Sequence, residues 1–186
     1  MLVLGLVLVA VVAGFTVVGA KNGAIERDET VQQAWGNVEA QYQRRFDLIP
    51  NLVQTVKGAA DFEQETLTAV TQARASVGQV KVDAGKLAGQ QGLGSALSRL
   101  LVVTERYPEL RATRNFADLQ HQLEGTENRI AVARTDYNRA VQDYNAFTRK
   151  IPNAWFLSQE EFPRRTPFEA TKAAGEAPKV DFGKGN

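Results

Sequence analysis

Apolar residues recur at every seventh position from Phe116 to Ile151. One column reads Phe116, Leu123, Ile130, Tyr137, Tyr144 and Ile151, and a second, offset by three, reads Leu119, Thr126, Ala133, Ala140 and Phe147. Two columns at this spacing, with no glycine between Gly125 and Ile151 and no proline before Pro152, predict one long helix with a narrow buried seam. At about 1.5 Å per residue such a helix runs roughly 50–55 Å. A seam of that length needs partner helices along it, so the expected fold class is all-α, an elongated antiparallel bundle of three to four helices.

The same periodicity appears earlier. From Ile25, one column reads Val31, Val38, Leu52 and Ala59, and its companion reads Trp35, Tyr42, Ile49 and Val56. Arg45 stands where Val38 and Leu52 predict an apolar residue. Pro50 lies inside this run; it removes a backbone hydrogen bond and disfavours helical geometry at Ile49, so a kink or restart is expected, with Asp47 placed to cap the new start. The stripe then continues to about Ser76, and Gly58 weakens that helix without ending it. Gly78 to Gly94 holds glycines at 78, 85, 89, 92 and 94 without periodicity and reads as the loop that turns the bundle. Gly85-Lys86 within it is no phosphate loop, because the preceding glycine has the wrong spacing and neither Ser nor Thr follows the lysine. Ser95 to Arg106 reads as a short helix stopped by Tyr107-Pro108, and Thr113 to Asn115 as the cap of the long one. Beyond Pro152 prolines and glycines forbid long helices, yet Trp155, Phe156, Phe162 and Phe168 recur, which predicts a tail laid back over an apolar surface. Disorder is expected from Thr171 onward.

Met1 to Ala20 carries no charge and spans about 30 Å as a helix, one hydrocarbon thickness. A retained signal anchor is favoured over a cleaved signal peptide, for which Val18-Gly19-Ala20 offers a small-residue site, because the run lacks a basic leader and exceeds the usual apolar core. The domain expectation is therefore an anchor at 1–20, a bundle at 21–151 with its loop at 78–94, and a Pro/aromatic tail at 152–186. The first basic residues, Lys21 and Arg27, follow the span, and counted alone they place the bundle in the cytoplasm.

Composition narrows the chemistry. With 22 basic and 21 acidic residues there is no clustered basic face for nucleic acid. The absence of cysteine removes disulfides, thiolate metal sites and cysteine nucleophiles. His121 is the single histidine; beside Glu124 it resembles half of a di-iron pair, but in reverse order and without companions, and it lies outside both columns, which predicts surface. Asp61, Glu63 and Glu65 read as a solvated acidic turn. No catalytic, cofactor or metal site is expected. The informative polar residues lie in or beside the seam: Arg44, Arg45 and Asp47 around Pro50, and Asn115, Glu127, Asn128, Arg129, Asn138 and Asn145 on the long helix. Their expected role is to pair across helices and fix register, since a buried charge or amide persists only when partnered.

Several long motifs in order resemble the LemA family. They are Ala34-Trp35-Gly36-Asn37, Arg44-Arg45-Phe46-Asp47-Leu48-Ile49-Pro50-Asn51-Leu52-Val53 with Thr55-Val56-Lys57-Gly58, Leu97-Ser98-Arg99-Leu100-Leu101 through Tyr107-Pro108-Glu109-Leu110, and Thr126-Glu127-Asn128-Arg129-Ile130-Ala131 with the Tyr-Asn pairs at Tyr137 and Tyr144. The resemblance runs from about Ile25 to Ala170. It implies a single-pass protein of the bacterial inner membrane with no established enzymatic activity. Relatives that carry a lipoprotein signal imply a bundle outside the cytoplasm, and the periplasmic side is the expectation here, against the charge count. Trp35, Arg44, Arg45, Asp47, Pro50, Asn51, Glu127, Asn128, Arg129, Tyr137 and Tyr144 are the structural or interaction candidates. The expected partners are membrane lipid through residues 1–20 and further copies of the chain, which would make it a self-assembling scaffold of the envelope; the alternative is an adaptor for another envelope protein, such as a membrane protease complex.

Overall fold

The predicted seam forms in the computed structural model, which describes residues 2–58, 63–78 and 84–168. The elements are α1 (Leu2–Lys57), α2 (Gln64–Gly78), α3 (Ala84–Thr104), α4 (Pro108–Arg111) and α5 (Arg114–Arg149), followed by a 3-10 turn at Asn153–Trp155. No strand occurs among the described residues, and the chain is an all-α helical bundle with an apolar N-terminal helix. Thr113 caps α5, its hydroxyl accepting from the Phe116 backbone N–H at 3.4 Å. Along α5, Phe116, Leu123, Ile130 and Tyr144 of one column are buried, as are Thr126, Ala133 and Ala140 of the other. Thr126 fits an apolar seam because its hydroxyl donates to the Leu123 carbonyl at 2.7 Å and leaves its methyl for the core. Ile151, at 69% exposed, lies beyond the end of the helix.

Packing divides the chain into two compact units, residues 35–133 and residues 1–34 with 134–186. The first has one core, built from Ile49, Leu52 and Val56 of α1, Leu67 and Val70 of α2, Leu93, Leu97 and Leu100 of α3, and Phe116 and Leu123 of α5. Arg45 meets Glu127, while Gln54 further along α1 shares a groove with Asn115 earlier on α5, so in this unit the two helices run antiparallel. Glu63 before α2 accepts from Arg106 after α3, which makes those two an antiparallel hairpin. In the second unit Ala20, Ala24 and Val31 of α1 pack with Ala140, Val141 and Tyr144 of α5 and with Leu157 and Phe162 of the tail. The closest approach there is at Gly23, where an added Cβ would lie 2.6 Å from Cζ of Phe147; the missing side chain lets that ring rest on the helix backbone, with the Arg27 guanidinium 3.9 Å from its centroid.

Four expectations are corrected. Pro50 neither breaks nor restarts its helix: α1 passes through it to Lys57, and Asp47 accepts from Gln43 Nε2 at 2.8 Å instead of capping. Ile49 and Leu52 on either side are fully buried, whereas Pro50 faces solvent, so core packing holds the helix across the lost hydrogen bond. The stripe does not run unbroken to Ser76, because α1 ends at Lys57 and α2 is separate; Ala59 and Ala60 lie outside the described residues. The loop expected at 78–94 is helical from Ala84. Gln90, Leu93, Leu97 and Leu100 form one buried stripe, and their packing outweighs glycines that each cost a helix about 1 kcal/mol. In the tail, Phe162 is buried as expected and Leu157 joins it, but Trp155 is 71% exposed. The disorder expected from Thr171 lies outside the described residues.

The start of α1 is long and apolar enough to cross a membrane, and Val3, Leu4, Leu6, Val7, Leu8, Val11, Val12, Phe15 and Val18 are exposed along it. Apolar side chains exposed together on a helix of this length need hydrocarbon around them.

The seam yields a first test. Ile130 is 2% exposed, so Ile130→Asp should cost several kcal/mol by burying an unpaired carboxylate, about 3–5 on the usual scale for such lesions. His121→Ala, on an exposed side chain, should cost less than about 0.5 kcal/mol. Denaturant unfolding of the detergent-solubilised protein measures both, and equal losses would mean that the helix phase is wrong.

Candidate functional site

The tail is held by side chains that the heptad repeat places about 100° around the helix from the seam. Tyr137 and Tyr144 belong to an apolar column; the residues after them, Asn138 and Asn145, therefore leave the core edge at the same angle. Asn145 donates from Nδ2 to the Arg165 carbonyl at 2.8 Å, and its Oδ1 accepts from the Arg165 N–H at 3.1 Å. Asn138 does the same for Phe168, with distances of 3.1 and 2.7 Å. Each amide thus satisfies both polar groups of one tail residue, as a neighbouring strand does. The spacing has a simple origin: seven helical residues rise about 10.5 Å, and three extended residues span about 10 Å. A heptad of helix reads residues i and i+3 of an extended segment.

Three further contacts choose the sequence so held. The Arg165 guanidinium makes a two-point ion pair with Asp28 of α1, Nε and Nη2 each 2.9 Å from a carboxylate oxygen. Phe168 meets the Tyr137 ring edge-on at 5.1 Å between centroids. The Tyr137 hydroxyl donates to the Thr166 carbonyl at 3.1 Å. Burial pushes the Tyr137 phenol above its ordinary value, against the pull of Arg165; burial does the same for Tyr144, reinforced by Asp28 and opposed by Arg165 and Arg149. Both stay neutral hydroxyls at physiological pH. Lys21 and Glu161 add an exposed ion pair at 2.9 Å, of little energetic weight.

The unit at 35–133 holds two more polar features. Arg45, 8% exposed, pairs with Glu127 at the edge of the core, and its Nη1 lies 3.7 Å from where Gly94 would carry a Cβ, an ordinary contact distance. Near the C-terminal end of α1, Gln54, Thr55 and Gly58 line a groove of about 810 Å³ with Tyr107, Leu110 and Asn115. Asn51, Asp118 and Leu119 extend its wall through an adjoining hollow of about 370 Å³ that shares Gln54, Thr55 and Asn115.

The candidates therefore separate. Arg45 and Glu127 pair across helices as expected. Tyr144 is buried in the seam, Tyr137 is half-buried in the clamp, and Trp35 is half-buried on α1. Asn51 lines the groove. Arg44, Asn128 and Arg129 are exposed, and Asp47 also faces solvent with its partner Gln43 on its own helix, so the cross-helix role expected of these four is not seen among the described residues; Pro50 faces solvent too. Asn138 and Asn145 bind the tail, not another helix. Asp28 and Arg165 escaped sequence reasoning; the one available signal was the repeated Tyr-Asn step, which announces a ligand without naming it. His121 is exposed, its Nδ1 3.9 Å from the Glu124 carboxylate, and no group of metal-ligating side chains occurs among the described residues.

An all-α bundle behind an apolar N-terminal helix, with a tail clamped by helix-borne amides, defines the class: a membrane-associated helical protein. The chain belongs to the LemA family, whose model matches residues 34–182. It is similar to the protein named Magnetosome protein MamQ 2 of Paramagnetospirillum magneticum, 28% identical over 183 residues, covering 84% of this chain and 67% of that one. It is also similar to Protein LemA of Metamycoplasma hominis, 25% identical over 142 residues, covering 76% and 64%. Neither the family nor these relatives bears an enzyme's name.

Two tests follow from the clamp. Asn145→Ala removes two hydrogen bonds worth about 0.5–1.5 kcal/mol each, so amide exchange in residues 157–168 should accelerate while α5 stays protected; unchanged exchange would mean that Asn145 does not hold the tail. The raised tyrosine values give a pH dependence. A phenol whose pKa is higher folded than unfolded contributes stability that is complete below the unfolded value, 10.0, and is lost as pH rises through the folded one. Ultraviolet titration should therefore find Tyr137 and Tyr144 ionising later in the folded protein than in the unfolded one.

Proposed function

We propose that this protein is a non-enzymatic, membrane-anchored scaffold of the bacterial envelope, whose copies gather and so organise or curve the bilayer, with the bundle on the periplasmic side. The observation that carries this reading is the continuity of α1. The exposed apolar run passes through Lys21-Asn22-Gly23 without a break, and within one turn Ala20 and Ala24 are already packed in a folded unit. An anchor joined in this way has no flexible joint, so contacts between bundles are contacts between anchors. The groove at Tyr107 and Asn115 favours a second reading, an adaptor for another envelope protein.

Full-length protein extracted with its lipids tests the choice by light scattering and electron microscopy. Large assemblies with gathered anchors are expected. A monodisperse monomer that captures a heterologous membrane protein would replace the scaffold by the adaptor.

A further inference from the structure

The clamp reveals how this chain recognises an extended segment. A carboxylate takes a basic side chain, helix-borne amides take the peptide groups, and a ring takes a phenylalanine three residues on. The segment so held is Arg165-Thr166-Pro167-Phe168. Of the nine phenylalanines in the sequence, one other follows a basic residue at the same spacing, in Lys179-Val180-Asp181-Phe182. The pattern occurs twice, and the clamp accounts for one occurrence.

The same three kinds of group meet again in the groove of the other unit. Asp118 supplies a carboxylate, Asn51, Gln54 and Asn115 supply exposed amides, and Tyr107 with Leu119 supplies a half-buried apolar wall. A groove of about 810 Å³ is in the size range of built ligand sites. Of the linings described, this one offers a carboxylate, amides and an aromatic ring together.

We infer that this groove binds the Lys179–Phe182 segment of a second copy of the chain. The Lys179 ammonium pairs with Asp118, the amides hold the extended backbone, and the Phe182 ring lies against Tyr107 and Leu119. The inference rests on the scaffold reading and gives it a link: anchors confined to one bilayer bring tails and grooves to high effective concentration. Tail into groove is a heterologous contact, which does not use the same surface on both copies and so extends into chains of copies. Lysine is a point charge where Arg165 is a two-point fork, which makes this the more exchangeable of the two attachments.

A fluorescent peptide of residues 175–186 titrated into the detergent-solubilised full-length protein tests the site. Saturable binding is expected, weakened at least tenfold by Asp118→Lys, by Asn115→Ala, or by Phe182→Ala in the peptide, with circular dichroism confirming that each protein variant keeps its helix content. No binding, or undiminished binding to Asp118→Lys, would overturn the site. Binding lost on Asp28→Ala but kept on Asp118→Lys would assign the segment to the clamp and equally overturn it. A photo-crosslinker at position 182 in a mixture of two differently tagged full-length chains should join one tag to the other; crosslinks confined to single chains would overturn the second-copy assignment. Light scattering separates the two levels: assemblies that persist in Asp118→Lys reject this link and leave the scaffold standing, whereas peptide binding by a protein that never assembles rejects the scaffold and leaves the site.

Discussion

The structure depends on the narrowness of the α5 seam. Two positions in each heptad face inward, which leaves most of the helix surface for other uses. In the 35–133 unit the inward positions carry the bulky Phe116, Leu123 and Ile130. In the unit at 1–34 and 134–168 they become Ala140 and Tyr144, opposite Ala20 and Ala24 of α1. Small residues on both helices allow close approach, and Gly23 against Phe147 is the extreme of it. A pair of helices packed on so thin a seam buries little by itself, and Leu157 and Phe162 of the tail complete that core. The amide clamp is thus a requirement of the fold before it is anything else: an extended segment that adds two apolar side chains must still satisfy its own peptide groups.

Arg45 shows the opposite solution to a polar group in the seam. An arginine in an apolar column costs desolvation that a single ion pair repays poorly unless its geometry is good. Here the cost is limited because Glu127 keeps 63% of its side chain in solvent, so the pair sits at the boundary of the core. Such an arrangement adds little stability, but it penalises any slip of α1 along α5, because a shift by one heptad would put Val38 or Leu52 opposite Glu127 and the Arg45 guanidinium opposite Gln120 or Arg134. Register is the property it protects.

What the sequence disclosed follows from which interactions repeat. The seam was legible because its period recurs over several turns, and Arg45 was legible as the one residue that breaks a column. The N-terminal half of α3 was not: its stripe begins with Gln90 and is interrupted by glycines, so propensity pointed to a loop where packing with Leu93, Leu97 and Leu100 decides for helix. At Pro50 local geometry argues for a kink or a restart, and the fully buried Ile49 and Leu52 decide against the restart. The pairing of Asp28 with Arg165 joins residues 137 positions apart and leaves no periodic trace in either segment. The groove at Tyr107 was half-visible: Asn51, Thr55, Gly58 and Tyr107 stand in the motifs that resemble the family, but Asn115 and Asp118 do not, and that they line adjoining hollows is a fact of three dimensions.

The scaffold reading gains most from where folded structure begins relative to the apolar run. Ala20 is already buried, Lys21 is already paired with Glu161, and Gly23 is already beneath Phe147. An anchor serving only as a tether would gain nothing from this, since a few flexible residues after the span tether equally well at no cost in packing. A helix that enters a folded unit directly transmits rotation and tilt, because bending it would require breaking backbone hydrogen bonds in consecutive turns. On the scaffold reading, lateral contacts made by the folded part would constrain the angle of the span in the bilayer, and a constrained angle repeated over many copies would bend a membrane. The continuity of α1 and the tail that completes the adjoining core are in this sense one device: the clamp stiffens the helix pair at the point where stiffness reaches the lipid.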